Sequence, residues 1–367
     1  VLLPDTLPDS CLSGAKLVEL ESLKSDPANW RAADLRGDHS GSFDLTPAQQ
    51  REIEAAVAAS AAAGQPIHDI SRDSFKLPGL GPLLARLRDR LIDGRGFALL
   101  RGLAVERLDR EQVMRAYFGI GSHIGTPRPQ NRAGHLIGHV TDLGEDPSDP
   151  RTRIYRTSGR QRFHVDSCDV VGLLCLQRAK SGGASALCSS LAIVQAIAER
   201  RPDLAAVLAQ PFIYDRKGEI PAGKHAHYPM PIWHRCGDKH SVYFARDFID
   251  SAQARFADIP RLSEAQCEAL DLLEQLAQSP EFHIRIDFRP GDIQLLHNHV
   301  LLHSREAYED FPEPARRRHL LRLWLSPQRP RPLPAAFEER YGPIRGGLPR
   351  GGICVPGVAP VVAMQPQ

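Results

Sequence analysis

Phe163-His164-Val165-Asp166 has the form of a strand segment that carries metal ligands. In an extended strand successive side chains point to opposite faces, so His164 and Asp166 project together while Val165 points away. A further histidine from a distant strand then completes a set of two imidazoles and one carboxylate with coordination positions left open. That facial arrangement suits non-haem Fe(II) oxygen chemistry better than a closed structural zinc site. The dipeptide pattern alone is weak evidence: 15 His and 44 Asp+Glu in 367 residues give about 1.8 His-x-acid matches by chance. Its weight comes from the residues around it.

Working outward, residues 151–187 read as strands: Arg151–Thr157, Phe163–Asp166, the buried-type run Val170–Leu176 and, after the Gly182-Gly183 turn, Ala184–Cys188. Ser189–Ala209 has helical period, with Pro202 and Asp203 opening a second segment, and Phe212 to Phe248 reads as short strands and turns. Ser263 caps a further helix; strands follow at Glu281–Phe288 and, beyond the Pro290-Gly291-Asp292 turn, at Ile293–Leu296. His297, His299 and His303 lie just after that strand, each a candidate third ligand. His319–Leu325 is a late apolar strand, and Arg318 sits at its start.

Upstream, Thr46-Pro47-Ala48-Gln49 is a capping box with proline at the first helical position, opening a helix to about Ala63. A second helix spans Gly81 to Asp93, and Gly96–Gly102 brackets a short apolar strand. Asp109 and Gln112 cap a helix reaching about Gly119, and another strand lies near Gly134–Val140. Helices first, then many short strands around a helical stretch, predict an α+β fold. Its core is a double-stranded β-helix (jelly roll) with flanking helices and a helical insertion between the metal-ligand strands. One domain is expected over 1–367. It comprises an N-terminal arm and helices (1–95), a catalytic core (96–326) and a Pro-rich tail (327–367) that wraps the surface.

Composition excludes several classes. The 46 basic and 44 acidic residues nearly balance, which argues against nucleic acid or an anionic membrane as partner. No apolar run approaches the roughly 18 residues of a membrane span. The opening Val-Leu-Leu-Pro is too short for a secretory signal. Seven scattered cysteines (11, 168, 175, 188, 236, 267, 354) without a CxxC pair fit free thiols in a reducing, cytoplasmic setting.

The chain resembles the taurine dioxygenase-like family of Fe(II)/2-oxoglutarate-dependent oxygenases. The resemblance is carried by Phe163-His164-Val165-Asp166, Gly182-Gly183-Ala184-Ser185, Pro290-Gly291-Asp292, the run from Asn298 through Leu302-His303-Ser304-Arg305, and Arg317-Arg318 through Trp324. It runs from Gly96 to Ser326. It implies that His164, Asp166 and His303 bind iron, placing His303 ahead of His299 and His297. It further implies that Arg318 grips the distal carboxylate of 2-oxoglutarate, since a planar guanidinium binds a carboxylate in two-point fashion. Ser185 stands where the family has threonine and would donate a hydroxyl to the same group. Arg322 shares the strand face of Arg318, and in similar enzymes this position binds an anionic substrate group; the alternative is a structural ion pair. Gln130, Tyr155 and Thr157 come from segments that flank the pocket in relatives. Ser158 stands near the position of the family's asparagine. Asp166 speaks for oxygenase chemistry, because halogenating relatives carry a small residue there.

The expected reaction is oxidation of a small anionic molecule, such as an amino acid or other carboxylate, with dioxygen and with release of succinate and CO2. Hydroxylation is the default, and desaturation or ring closure uses the same ligands. A metalloenzyme without 2-oxoglutarate and a non-catalytic metal- or small-ligand-binding jelly roll are the competing readings. The family resemblance allows a homo-oligomer without fixing its order.

Overall fold

The structure, a computed structural model, describes residues 21–146, 149, 152–221, 223–345 and 347–366. The first part of the expected arm, Cys11 included, lies outside the described residues. It is an α+β fold with two principal sheets. The large sheet orders its strands Ser42–Asp44, Phe97–Arg101, Ile293–His297, Val170–Gln177, His319–Ser326 and Thr126–Arg128, with Ile137–Val140 also pairing His319–Ser326. The small sheet is antiparallel in the order His283–Ile286, Ser185–Ser189, Leu301–Arg305, Gln161–His164. One apolar cluster, including Val171, Leu296 and Trp324 from the large sheet and Leu187, Cys188 and Leu301 from the small one, joins the two. Helices Pro47–Ala62, Gly81–Asp93 and Arg110–Ile124 cover the other face of the large sheet through a second cluster. Ser190–Arg200, Pro202–Leu208 and Glu264–Gln278 fill the insertion between the ligand-bearing strands.

The helix starts follow from local chemistry. Thr46, Asp109 and Ser263 each accept the N3 backbone N–H while a glutamine at N3 returns the bond, so two orphan donors are satisfied at every start.

Three expectations are corrected. Of the expected strand Arg151–Thr157, Arg151 lies outside the described residues and the remainder contains a 3-10 turn, Ile154–Arg156, rather than a strand. Arg305 accounts for this: its Nη2 donates to the carbonyls of Ile154, Thr157 and Gly159, groups a ladder would need for itself. His303 lies inside a strand of its own, Leu301–Arg305, that follows Ile293–His297. The end of the stretch Phe212 to Phe248, read as short strands and turns, instead opens a helix, Arg246–Arg255. The helix from Arg110 runs on to Ile124 because its last turn is buried, Ile120 and Ile124 being 1% exposed.

The tail is also not a surface wrap. Phe337, Tyr341, Arg331, Arg350 and Ile353 are buried, and the Gly352 N–H donates to the Ser167 carbonyl, next to Asp166.

Candidate metal and cosubstrate site

His164 and His303 are direct cross-strand partners in the small sheet. Opposed side chains on one face of an antiparallel pair meet, which brings these rings to a centroid distance of 4.2 Å. Asp166 lies two residues past the strand end, where the Val165 N–H bonds to Phe244 and the Asp166 N–H to Asn298 Oδ1 at 3.1 Å. Those bonds keep the segment extended and return Asp166 to the face of His164. Ligand atoms of His164, Asp166 and His303 lie within 4.8 Å of one another; among the described residues no other trio of His, Cys, Asp or Glu is so placed. His297 and His299 point elsewhere: both are fully buried, and His299 Nε2 bonds Asp169 at 2.9 Å.

The donor set fits a divalent cation. The His164 Nδ1–H donates to the Arg162 carbonyl at 2.9 Å, which leaves Nε2 as the coordinating atom. Burial raises the Asp166 carboxyl, but Arg322 and the two imidazoles outweigh it and hold it at about 2. Burial and His164 push His303 down to about 3, so it is a neutral ligand at working pH. One carboxylate and two imidazoles is the set expected for Fe(II) with open positions.

Arg318 opens into the same cavity as the triad, together with Ser185, Arg305 and Leu320. It lies one residue before the His319–Ser326 strand and is 4% exposed. Its Nη1 has no hydrogen-bond partner among the described residues, and burial holds its pKa below the ordinary value. A buried cation of this kind calls for an anion. Gly182 and Gly183, both with φ above +70°, are required here: a Cβ on Gly183 would stand 3.1 Å from Arg318 Nε. Ser185 is buried and pairs with Arg305 in register.

Arg322 is committed differently. Its Nη1 reaches both Asp166 oxygens at 3.2 and 3.3 Å, its Nε donates to Gln130 Oε1 at 2.7 Å, and its guanidinium lies between the Tyr155 and Trp324 rings. Gln130 spends its amide on Arg322 and on the Leu136 and Arg322 carbonyls. Thr157 closes its own turn through the Ile154 carbonyl and the Gly159 N–H. Tyr155 alone of those three lines the cleft in front of the triad. Two neighbours escaped the sequence reading. Arg305 shares the Tyr308 ring with Arg318, and its strand parity with His303 was the available signal. Gln161 places its amide 3.0 Å from His164 Nε2, and no sequence spacing announces that contact.

The model of the family described as taurine catabolism dioxygenase TauD, TfdA family matches residues 61–324. The chain belongs to the TauD, TfdA family. Among TauD-like relatives, FR-33289 synthase of Streptomyces rubellomurinus is 30% identical over 318 residues, covering 85% of this chain and 93% of the relative. The taurine hydroxylase-like protein SAT17 of Stachybotrys chartarum is 31% identical over 324 residues, 86% of this chain and 83% of the relative. Solved structures share the fold. Asparagine oxygenase in complex with Fe(II), 3-hydroxyasparagine and succinate has a TM-score of 0.58 at 16% identity, covering 78% of this chain and 93% of its own. OrfP with Fe and α-ketoglutaric acid has a TM-score of 0.58 at 17% identity, covering 77% and 93%. This TauD-family member is a dioxygenase that uses Fe(II) and 2-oxoglutarate. Among the described residues no helix is long and apolar enough to cross a membrane.

Proposed function

We propose that His164, Asp166 and His303 hold the iron, and that Arg318, with the Ser185 hydroxyl, receives the distal carboxylate of 2-oxoglutarate. On this reading the chain is one domain built on a double-stranded β-helix, and it hydroxylates a small anionic molecule such as an amino acid or other carboxylate. The single observation that carries it is a trio of two imidazoles and a carboxylate sharing one cavity with a buried guanidinium whose Nη1 lacks a partner among the described residues. Bound iron and 2-oxoglutarate supply the oxidising power, as the cosubstrate loses CO2 and becomes succinate.

The protein's own part is placement. Arg305 and Arg318 make one end of the cavity cationic, and both line it with Ser185. Arg322 neutralises Asp166 from behind and is itself held by Gln130, so its anion partner in this structure is the ligand carboxylate rather than substrate. The substrate side is the cleft in front of His164 and Asp166, enclosing about 700 Å³ in part open to solvent and walled by Tyr155, Phe248 and Tyr243. The six cysteines among the described residues are free thiols, three of them buried, which supports a reducing and therefore cytoplasmic setting.

The test is a panel of small acids incubated with Fe(II), 2-oxoglutarate and air, reading succinate and product mass. Substrate-dependent succinate with a product heavier by one oxygen supports hydroxylation. A product lighter by two hydrogens points to desaturation or ring closure, and turnover that survives Arg318→Ala removes Arg318 from the 2-oxoglutarate site.

A further inference from the structure

Arg305 stands directly across from Ser185 in the small sheet and shares a strand face with His303, two residues earlier. It is 5% exposed and lines the cavity that holds the trio, Ser185 and Arg318. Its guanidinium is used on one side only. Nη2 donates to the carbonyls of Ile154, Thr157 and Gly159, whereas Nε and Nη1 have no hydrogen-bond partner among the described residues. Nε carries one N–H and Nη1 two, so three donors of a buried side chain lack an acceptor. A buried donor left unpaired is costly, and more so when the group is charged.

Counter-charge is present, since Asp142 acts on Arg305 and Asp310 on Arg318. Acceptors are what the pair lacks: Asp310 Oδ1 takes the Arg318 backbone N–H at 2.7 Å, and Arg318 Nη1 is unpartnered among the described residues. Both guanidiniums lie over the Tyr308 ring, at 5.0 and 5.1 Å, and burial with Arg318 holds Arg305 down at about 10. The occupied side of Arg305 leads out of the cavity. Its three carbonyls belong to the turn around Ile154–Arg156, and the Tyr308 N–H adds a further tie at the Ser158 carbonyl, 3.1 Å away. Tyr155, in that turn, lines both this cavity and the cleft in front of the trio. Its ring lies 4.7 Å from the guanidinium of Arg322, which reaches Asp166.

We propose that Arg305 is a positioning residue that couples the cosubstrate to the wall of the substrate cleft. Its Nε and Nη1 give N–H groups to the distal carboxylate of 2-oxoglutarate beside Arg318, while Nη2 holds the turn that carries Tyr155. This rests on the proposed iron and 2-oxoglutarate sites. A guanidinium is planar, so fixing Nε and Nη1 on a carboxylate also fixes Nη2 and the three carbonyls it grips. The Tyr155 wall is then braced when the cosubstrate is in place and looser when it is not. A 2-oxo acid without a distal carboxylate fills the iron site but leaves these donors unpaired and the wall loose.

The test uses anaerobic protein loaded with Fe(II). 2-Oxoglutarate and 2-oxobutyrate, which lacks the distal carboxylate, are each titrated on the iron absorption band. Amide hydrogen exchange over residues 154–160 is then read by mass spectrometry with either 2-oxo acid saturating. 2-Oxoglutarate should slow exchange there roughly fivefold or more, and 2-oxobutyrate should leave it unchanged. Arg305→Lys, which keeps the charge but loses the fork, should weaken 2-oxoglutarate about tenfold, leave 2-oxobutyrate unaltered and abolish the slowing. Arg318→Lys should also weaken 2-oxoglutarate but keep the slowing at saturation. Equal slowing by the two acids, or wild-type 2-oxoglutarate affinity in Arg305→Lys, overturns the coupling, and the first comparison needs no variant. A band missing with both acids sinks the iron reading instead, so the two failures are distinct.

Discussion

At the scale of single residues, the site is made by side chains whose partners are either absent or fully committed. Arg318 is the first kind: buried, with Nη1 unpartnered among the described residues. Arg318→Lys keeps the charge but gives up two-point geometry, so KM for 2-oxoglutarate should rise at least tenfold with a smaller change in kcat. Steady-state kinetics over 2-oxoglutarate checks this, and an unchanged KM removes Arg318 from cosubstrate binding. Gln130 is the second kind, 2% exposed and bonded at both ends of its amide. Gln130→Ala strands Arg322 Nε and the Leu136 carbonyl, and should cost about 2–3 kcal/mol in urea unfolding. Because the loss acts through Arg322 on Asp166, kcat should fall more than the 2-oxoglutarate KM rises. Loss of stability with kinetics intact would make Gln130 a packing residue only.

At the scale of elements, the distance over which the determining interaction acts separates what the sequence announced from what it hid. Capped helix starts at Thr46, Asp109 and Ser263 were legible because donor and acceptor lie three residues apart. The strand Leu301–Arg305 was hidden because its polar residues face the cavity and its partner strands lie more than a hundred residues upstream. The trio was legible through residue type and the family resemblance, whereas the Gln161 amide contact depends on tertiary placement. The Pro-rich tail misled most, since composition suggested a solvated wrap. Arg350 instead forks onto Asp169, three residues past Asp166, the proposed ligand, at 2.6–3.2 Å with both side chains buried. Asp169 is drawn down to about 2: burial raises it, but His299 and Arg350 prevail. Arg350→Met therefore leaves an uncompensated buried carboxylate and should cost about 3–5 kcal/mol. Thermal unfolding measures the loss, and a change within experimental scatter would mean that the tail does not brace the metal-bearing segment.

At the scale of the whole molecule, buried neutral histidines set how the fold answers acid. Burial holds His234, whose Nε2–H donates to the Pro231 carbonyl at 2.7 Å, down at about 4. His240, fully buried against Trp233, is likewise held at about 4 by burial and by Arg235 and Arg331. In the unfolded chain both titrate near 6.5. Between that value and about 4 the unfolded state carries protons that the folded state refuses, so stability falls as pH falls. The contribution is complete above the unfolded pKa and is lost progressively on the way down to the folded one. Each histidine gives a slope near 1.4 kcal/mol per pH unit inside that window, on the order of 3 kcal/mol over its width. Urea midpoints of the metal-free protein should hold steady from pH 8 to 7 and then drop steeply toward pH 5. His234→Gln, which removes one titrating ring, should flatten that drop by about one proton's worth while lowering stability at pH 7. An unaltered slope in His234→Gln would show that His234 takes up its proton without unfolding, and the acid response would then belong to other groups.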